Sequence, residues 1–318
     1  MSRARSRLTV AAAVLIAVAA IAIVVARLGS SARPPVVRAS LPAAAASYLG
    51  VYENGAPPDF QPVTEFAEAA GRPPGLVGYF SGWPEAFAAS FARKVRAHGA
   101  TPLIQIDPTF ASVAAIAAGD YDGYLRTYAI SVRSFGHPVV IGFGHEMNAP
   151  WYSWGYGHVP AQVFIKAWRH IVMLFRQQGA DNVTWLWTIN GDQSETGPIK
   201  SWWPGARYVT WVGIDGYYYR PTDTFASIFG TTIKQVRHFT ADPVLISETA
   251  VGPAAGQAAK IGNLFAGIIQ YRTLGLVWFD NAQHQGIYHQ DWRIEESPAA
   301  AAALHRGVTE ALRLGSSP

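Results

Sequence analysis

Two glutamates have the surroundings that acid–base chemistry requires. Glu146 lies in the segment GHEMNAPWYSWG and Glu248 in VLISETA, each directly after an apolar run typical of a buried strand. Cleavage of a glycosidic bond needs two carboxyl groups, one to protonate the leaving oxygen and one to attack or to activate water. If the two strands face one another, this pair predicts glycosidase chemistry.

The neighbours of the two carboxyl groups predict different roles. Glu146 follows His145 and precedes Trp151, and burial among them would favour its protonated form, as a general acid/base requires. Hydrogen bonds from Tyr217 or His145 would keep Glu248 ionised, as a nucleophile requires. The alternative is that each glutamate is a solvated loop residue or a member of a structural ion pair.

Aromatic residues are concentrated near the predicted strand ends. Flat rings with apolar faces and polar edges suit sugar rings, whereas taken singly each would more often belong to a core. The candidates are Trp151, Tyr152, Trp154, Tyr156, Trp202, Trp203, the run from Tyr217 to Tyr219, and Trp278. Together with the two glutamates they predict a carbohydrate-binding cleft.

Other catalytic chemistries lack their motifs. The chain has no cysteine, which excludes disulfides, thiolate catalysis and cysteine-bound metals. Ala149 occupies the place of the second histidine of HExxH, and no GxSxG, Walker A or strand-linked GxGxxG segment occurs. We expect no metal and no cofactor, although a site of carboxylates with His145, His158 or His284 remains the alternative.

Eight short apolar runs alternate with segments of helical pattern. Such runs indicate parallel strands covered on both faces, and their alternation with helices over about 270 residues predicts a single (β/α)8 barrel. The predicted strands are Tyr48–Tyr52, Leu76–Phe80, Pro102–Ile106, Val139–Phe143, Val183–Thr188, Trp211–Asp215, Val244–Ser247 and Gly275–Phe279. The predicted helices are Pro84–Ala97, Tyr121–Phe135, Pro160–Gln178, Phe225–Phe239, Ala254–Tyr271 and Pro298–Leu314.

The barrel prediction places the candidate residues at one rim. Active sites of such barrels lie where the strands end and the following loops begin. Polar residues stand at these points after the third, fourth, sixth and seventh strands: Asp107, His145, Glu146, Asn148, Asp215, Tyr217 and Glu248. The fourth and seventh strands face one another across a barrel, which brings the two glutamates together.

The net charge of +4 does not indicate a nucleic-acid partner. Six arginines precede the first acidic residue, Glu53, and without them the chain has 19 basic and 21 acidic residues. A nucleic-acid-binding domain would carry its basic excess on the folded body. We therefore expect no nucleic-acid partner.

The N-terminal region predicts a membrane segment followed by a spacer. Leu8 to Ala26 is an uncharged apolar run preceded by three arginines, long enough to cross a bilayer as a helix. We expect a single-pass anchor in residues 1–27, a flexible linker in 28–47 and the barrel in 48–318, on the extracellular side of the cell membrane. The alternative is a cleaved signal peptide and a secreted protein. We also expect a monomer.

Five stretches resemble glycoside hydrolase family 26, a family of retaining (β/α)8 enzymes that includes the β-mannanases. They cover the predicted strands four to eight in order: GHEMNAPWYSWG, NVTWLWTIN, WWPGARYVTWVGIDGYY, VLISETA and LVWFD. Two departures stand out. Gly142 occupies a place where many members have arginine, and Ala149 replaces a common glycine.

The resemblance implies a role for each matching residue. Glu146 would be the acid/base and Glu248 the nucleophile, and the remaining matches would bind substrate: His145, Asn148, Trp151, Trp154, Asp215, Tyr217 and Trp278. The family includes enzymes acting on mannans, mixed-linkage β-glucans and β-1,3-xylans. We expect an endo-β-glycosidase acting on β-1,4-mannan. The alternatives are one of the other two polysaccharides, or a non-catalytic carbohydrate-binding barrel.

Overall fold

The computed structural model describes residues 41–191, 196–253, 255–283 and 290–315. The predicted membrane segment, Leu8 to Ala26, lies outside the described residues. Within the described ranges, no helix combines the length and the apolar character needed to cross a bilayer.

Eight parallel strands form a closed barrel, in which each strand pairs with its neighbours in chain order and the eighth returns to the first. The prediction of a single barrel is confirmed, and each predicted strand is correct to within two residues at either end. The strands are β1 (Tyr48–Glu53), β2 (Leu76–Gly82), β3 (Thr101–Asp107), β4 (Val139–Phe143), β5 (Val183–Asn190), β6 (Trp211–Asp215), β7 (Val244–Thr249) and β8 (Gly275–Asp280).

Helices follow most of the strands and cover the outside of the barrel. In the helix Ala161–Gln177, for example, apolar residues at helical spacing are buried, among them Phe164, Trp168, Ile171 and Phe175. The helices are α1 (Gln61–Ala70), α2 (Ala89–Ala97), α3 (Val113–Ala118), α4 (Asp122–Phe135), α5 (Ala161–Gln177), α6 (Thr231–Arg237), α7 (Gln257–Gln270) and α8 (Pro298–Gly315).

Irregular elements occur after β5, before α6 and after β8. Among the described residues between β5 and β6 the regular element is a 3₁₀ turn, Ile199–Trp202, and α6 is preceded by a π-helical turn, Ala226–Gly230. After β8 a two-stranded antiparallel ribbon of β9 (Ala282–Gln283) and β10 (Gln290–Asp291) precedes α8. This ribbon is absent from the predicted elements, because strands of two residues carry no periodic signal.

The barrel interior is packed with one apolar side chain or more from every strand. A cluster of buried residues fills its lower part: Tyr52, Leu76, Leu103, Val140, Leu186, Trp211, Leu245 and Val277. Since side chains alternate across a strand, the next inward positions toward the C-terminal ends lie above this cluster. They line the barrel mouth, by which we mean the rim formed by the C-terminal ends of the eight strands.

The folded body begins before the predicted boundary at residue 48. Leu41 packs against the apolar cluster inside the barrel, and the hydroxyl of Tyr48 donates to the carbonyl of Pro42 at 2.8 Å. The N–H of Ala46 donates to the carbonyl of Thr273 at 2.8 Å. The last seven residues of the predicted linker, 41–47, are therefore held against the barrel.

Candidate active site

Glu146 lies in the loop after β4 with both carboxylate oxygens hydrogen-bonded. Its φ of +53° is a left-handed conformation that costs about 1–2 kcal/mol for a residue with a side chain. Its N–H donates to the carbonyl of Thr188 at 3.0 Å, which holds this turn in place. Oε1 accepts from Nδ2 of Asn190 at 2.7 Å and Oε2 from Nε1 of Trp151 at 2.6 Å. The carboxyl group is thereby fixed in one position, as proton transfer requires.

Glu248 is presented by an irregularity at the end of β7. The pairing of β7 with both neighbouring strands shifts there, as at a β-bulge, which re-aims side chains near the strand end. Oγ of Ser247 donates to Oδ1 of Asp215 at 2.6 Å. The next side chain, Glu248, accepts a hydrogen bond from the hydroxyl of Tyr217 on its Oε1. The ends of β6 and β7 are thus tied together beside the carboxyl group.

The charge of Glu146 acts on the buried carboxyl group of Glu248. Burial and the charge of Glu146 raise the pKa of Glu248 to about 7, although the charge of His145 and the hydrogen bond from Tyr217 lower it. His145 and Tyr217 thus favour the ionised form of Glu248, as expected from the sequence, while burial and the neighbouring carboxylate oppose them.

His145 is a buried cation beside both glutamates. Burial lowers its pKa, but Asp107, hydrogen-bonded to Nδ1 at 2.9 Å, and the charges of Glu146 and Glu248 raise it to about 10 overall. The other ring nitrogen, Nε2, lies 3.1 Å from the hydroxyl of Tyr152. His145 therefore supplies a positive charge, fixed at both nitrogens, to a site rich in carboxylates.

Asp215 lies at the end of β6 and is almost completely buried. Burial, followed by the charges of Glu248 and Glu146, holds its pKa well above the usual range of an aspartate. The structure places this predicted site residue next to Glu248, with which it is paired in the register of β6 and β7.

Asn148 is a predicted substrate-binding residue that the structure places elsewhere. Its side chain is fully buried, accepting from the backbone N–H of Asn190 at 2.9 Å and donating to the backbone carbonyl of Asn190 at 3.0 Å. With its amide occupied in this way, Asn148 does not reach the mouth. It positions Asn190, whose own side chain donates to Glu146.

Two of the three tryptophans predicted to bind substrate are also buried. Trp154 is stacked on Tyr152 with ring centroids 4.4 Å apart, and its Nε1 donates to the carbonyl of His145 at 2.9 Å. Trp278 has an exposed fraction of 0% and donates from Nε1 to the carbonyl of Trp292 at 2.9 Å. Neither ring can stack on a sugar in this conformation. Both support the backbone beside the site.

Strand alternation explains why Trp278 is not a platform. Val277 belongs to the interior cluster of the barrel, so Trp278 must face outward and Phe279 inward. Phe279 is half-buried and lies edge-to-face with Tyr217 at 6.0 Å between ring centroids. At the end of β8, Phe279 takes the place that the prediction gave to Trp278. Of the three tryptophans, Trp151 remains available, with an exposed fraction of 46%.

Several residues of the site were missed or given no role from the sequence. Asp107 and Asn190 end β3 and β5, so the rule that predicted the other strand-end residues also points to them. Trp292 follows β10 and stacks on Tyr217 with ring centroids 4.5 Å apart. No sequence signal places Trp292, because its position depends on the path of the chain after β8.

The space near Gly142 is filled from a neighbouring strand. A Cβ atom on Gly142 would lie 1.9 Å from Oε1 of Gln105, a buried residue of β3 whose Nε2 donates to Thr188 at 2.9 Å. Many members of the family that this sequence resembles have arginine at the position of Gly142. In this chain the neutral side chain of Gln105 reaches into that space from β3.

Among the described residues, no group of three histidine or acidic side chains could hold a metal ion. His145 is engaged by Asp107 and Tyr152, and His158 lies near the surface with Nε2 2.8 Å from the carbonyl of Pro150. His284, the third histidine of the alternative metal site, lies outside the described residues. The site that the structure does assemble consists of carboxyl groups, one imidazolium and aromatic rings.

The chain matches the model of glycosyl hydrolase family 26 over residues 127–308. It is 29% identical over 271 residues to Endoglucanase H of Acetivibrio thermocellus, covering 80% of this chain and 29% of that protein. It is 30% identical over 84 residues to Mannan endo-1,4-beta-mannosidase A and B of Caldalkalibacillus mannanilyticus, covering 24% of this chain and 16% of that protein. The chain thus spans less than a third of the length of either relative.

Solved structures show the same fold. An endo-β-1,4-mannanase double mutant of Cellulomonas fimi superposes with a TM-score of 0.65 at 15% sequence identity, covering 83% of this chain and 70% of that one. At this level of identity the similarity supports the barrel architecture and leaves substrate preference open.

Proposed function

Since the chain belongs to glycosyl hydrolase family 26, we propose that it is a retaining endo-β-glycosidase working by double displacement. Glu146 is the acid/base and Glu248 the nucleophile. The observation that carries the proposal is the shared surroundings of the two carboxyl groups. Both lie at the barrel mouth and both raise the pKa of His145. Each carboxyl group also accepts hydrogen bonds from donors of its own.

The first step transfers a glycosyl group to the protein. A carboxylate oxygen of Glu248 attacks the anomeric carbon while the carboxyl group of Glu146 gives its proton to the departing glycosidic oxygen. The C–O bond to the leaving group breaks as the bond to Glu248 forms. Trp151 and Asn190 then donate to the carboxylate that remains on Glu146, which stabilises its new charge.

The second step releases the sugar and restores both residues. Glu146 takes a proton from a water molecule, whose oxygen attacks the anomeric carbon and displaces Glu248. A pKa of about 7 still leaves a large share of Glu248 ionised at neutral pH, as attack on the anomeric carbon requires. His145 offsets the negative charge of the pair throughout.

Two of the three substrate classes represented among the relatives are proposed, a β-glucan and a β-1,4-mannan; the third, β-1,3-xylan, is that of xylanases that match 34% of this chain. The endoglucanase, which matches 80% of this chain, favours a β-glucan. The mannanase matches a shorter segment and favours a β-1,4-mannan, the substrate expected from the sequence. In either case Trp151 and Phe279 provide the ring faces on opposite sides of the mouth, and no cofactor takes part in the proposed reaction.

A polysaccharide panel tests the proposal. The chain is incubated with galactomannan, barley β-glucan, carboxymethyl cellulose, β-1,3-xylan and β-1,4-xylan, and the released oligosaccharides are separated by chromatography. We expect a ladder of short products from mannan or from a β-glucan, with Glu248→Gln as the inactive control. Absence of products from every polysaccharide would overturn the proposed activity.

For the N-terminal region, we propose that Leu8 to Ala26 anchors the barrel on the outer side of the cell membrane. The uncharged run and the preceding arginines support this orientation. Expression of the whole chain should place it in the membrane fraction, whereas a chain that starts at Leu41 should stay out of it. If the whole chain is expressed and a shortened protein with a new N-terminus after residue 26 is recovered in the medium, the segment is a cleaved signal instead.

A further inference from the structure

Phe80 is an apolar side chain that the fold leaves partly open at the mouth. In β2, Leu76 belongs to the interior cluster, so Gly78 and Phe80 are the next inward positions of the strand. Phe80 has an exposed fraction of 39%, whereas the residues on either side of it, Tyr79 and Ser81, are buried. On β2, Leu76 therefore packs inside the barrel, and the phenyl ring of Phe80 is accessible at the mouth above it.

Tyr52 supports this ring from below. The two rings are stacked with centroids 5.0 Å apart and planes 18° from parallel. Tyr52 itself is buried, and it fits because Gly78 has no side chain: a Cβ there would lie 2.5 Å from Cε1 of Tyr52. Gly78 therefore makes room for Tyr52, and Tyr52 fixes the plane of Phe80.

The phenyl ring lies beside the reacting groups. Its centroid is 5.2 Å from that of His145, the residue that carries positive charge next to both glutamates. Phe80 comes from β2, whereas Trp151 follows β4 and Phe279 ends β8. It is thus a separate apolar surface on the β1–β2 side of the mouth. A phenyl ring offers no hydrogen bond, so a ligand at this point must present an apolar face while its polar groups point elsewhere.

We propose that Phe80, seated on Tyr52, is a stacking platform for one pyranose ring of the polysaccharide substrate. The proposal rests on the proposed function and adds a sugar subsite to it. A pyranose presents C–H groups on its ring faces and hydroxyl groups around its rim, which is the division of polarity that the position requires. Stacking also covers the exposed ring of Phe80, which favours binding through the apolar area removed from water.

The test compares substitutions that keep or remove the flat face. Phe80→Ala removes it, and Phe80→Trp preserves it at the same position. Ile130→Ala is the matched control, because Ile130 on α4 is exposed to nearly the same extent, 40%, and lies away from the mouth. All three changes are made in the Glu248→Gln background, and circular dichroism verifies that each variant is folded.

The affinity for mannohexaose and for cellohexaose is measured by titration calorimetry. We expect Phe80→Ala to weaken binding of the preferred hexaose about tenfold, with Phe80→Trp within about twofold of the parent and Ile130→Ala unchanged. Equal affinity of Phe80→Ala and Ile130→Ala, or an equal loss in Phe80→Ala and Phe80→Trp, would overturn the platform. The polysaccharide panel distinguishes failure of the Phe80 subsite from failure of the proposed activity. Products from the unsubstituted chain, together with unchanged binding in Phe80→Ala, would reject the subsite and not the activity.

Discussion

Tyr217 donates the hydrogen of its phenol to Oε1 of Glu248, the proposed nucleophile. This bond lowers the pKa of Glu248 against the effect of burial and of the facing carboxylate of Glu146. Trp292, stacked on the ring of Tyr217, holds the phenol in place. The ionisation of the nucleophile thus depends on an aromatic residue from a different loop.

Removal of this phenol hydroxyl should change the pH dependence of the reaction. Glu248 attacks only when ionised, so kcat/KM should fall as the pH drops through about 7. Tyr217→Phe removes a group that lowers the pKa of Glu248, so this acidic limb should move to higher pH. At a fixed pH below the limb, kcat/KM should decrease about tenfold for every pH unit that the limb moves.

The neighbouring Tyr218→Phe is the matched control for this experiment. Its hydroxyl is also hydrogen-bonded, to Oδ1 of Asn263 at 3.2 Å, but it does not contact Glu248. Tyr218→Phe should cost about 1 kcal/mol of stability and leave the pH profile in place. An acidic limb that stays in place in Tyr217→Phe would show that the phenol does not control the nucleophile.

Asp107 should control the charge of His145. In Asp107→Asn the ring loses the carboxylate that raises its pKa most, so the pKa of His145 should fall from about 10. Loss of the imidazolium would in turn raise the pKa of Glu248, because the charge of His145 lowers this pKa more than the charge of Asp107 raises it. The ring nitrogens can be titrated by ¹H–¹⁵N NMR, with kcat/KM measured in parallel over the same pH range.

A second histidine–aspartate pair offers the control for Asp107. His170 and Asp122 lie 2.6 Å apart on the outer helices α5 and α4. Asp122→Asn should leave kcat/KM and its pH profile unchanged. If Asp107→Asn has the same small effect as Asp122→Asn, the charge on His145 plays no part in the reaction.

Trp151 has two functions that a single substitution can separate. Trp151→Phe retains a ring at the mouth and removes the Nε1 donor that lies 2.6 Å from Oε2 of Glu146. Loss of this charge-assisted hydrogen bond should lower kcat on polysaccharide about tenfold, while KM changes little. Trp151→Ala should also raise KM, because the exposed ring is lost. A Trp151→Phe variant with normal kcat would show that the hydrogen bond plays no part in catalysis.

Gly142 should tolerate no side chain while Gln105 is present. The added Cβ of Gly142→Ala would meet Oε1 of Gln105 at 1.9 Å, so the variant should lose about 1–3 kcal/mol of unfolding free energy. The same change should cost less in the Gln105→Ala background, as measured by urea denaturation. Gly262→Ala on α7, where nothing lies within 4 Å, should gain about 0.5–1 kcal/mol. Equal costs of Gly142→Ala in both backgrounds would contradict this contact.

The barrel and its rim follow from patterns that are local in the chain. Short apolar runs located all eight strands, and the rule that chemistry follows the strand ends located His145, Glu146, Asp215 and Glu248. These features depend on residue order alone, which is why they could be predicted before any contact was known.

The predictions were wrong where a shift of one residue along a strand, or a contact with a residue distant in sequence, determines which side chain faces the site. Trp278 and Phe279 are adjacent, and only the packing of Val277 in the interior shows which of them faces the mouth. Asn148 was assigned to substrate, whereas its amide pairs with the backbone of Asn190, 42 residues away. The pKa of Glu248 depends on burial, which residue types do not reveal.

The roles of the two glutamates can be read from the products of azide rescue. With an activated aryl β-glycoside, Glu146→Ala still forms the glycosyl intermediate on Glu248, because a good leaving group needs little protonation. Azide that replaces water in the second step should then give a β-glycosyl azide. With Glu248→Ala no intermediate forms, and azide in the place of the nucleophile should give the α-glycosyl azide.

The most direct test is therefore the anomeric configuration of the glycosyl azide formed by each variant, determined by ¹H NMR. We predict the β-anomer from Glu146→Ala and the α-anomer from Glu248→Ala. The same anomer from both variants, or the reverse assignment, would contradict the roles given to the two glutamates.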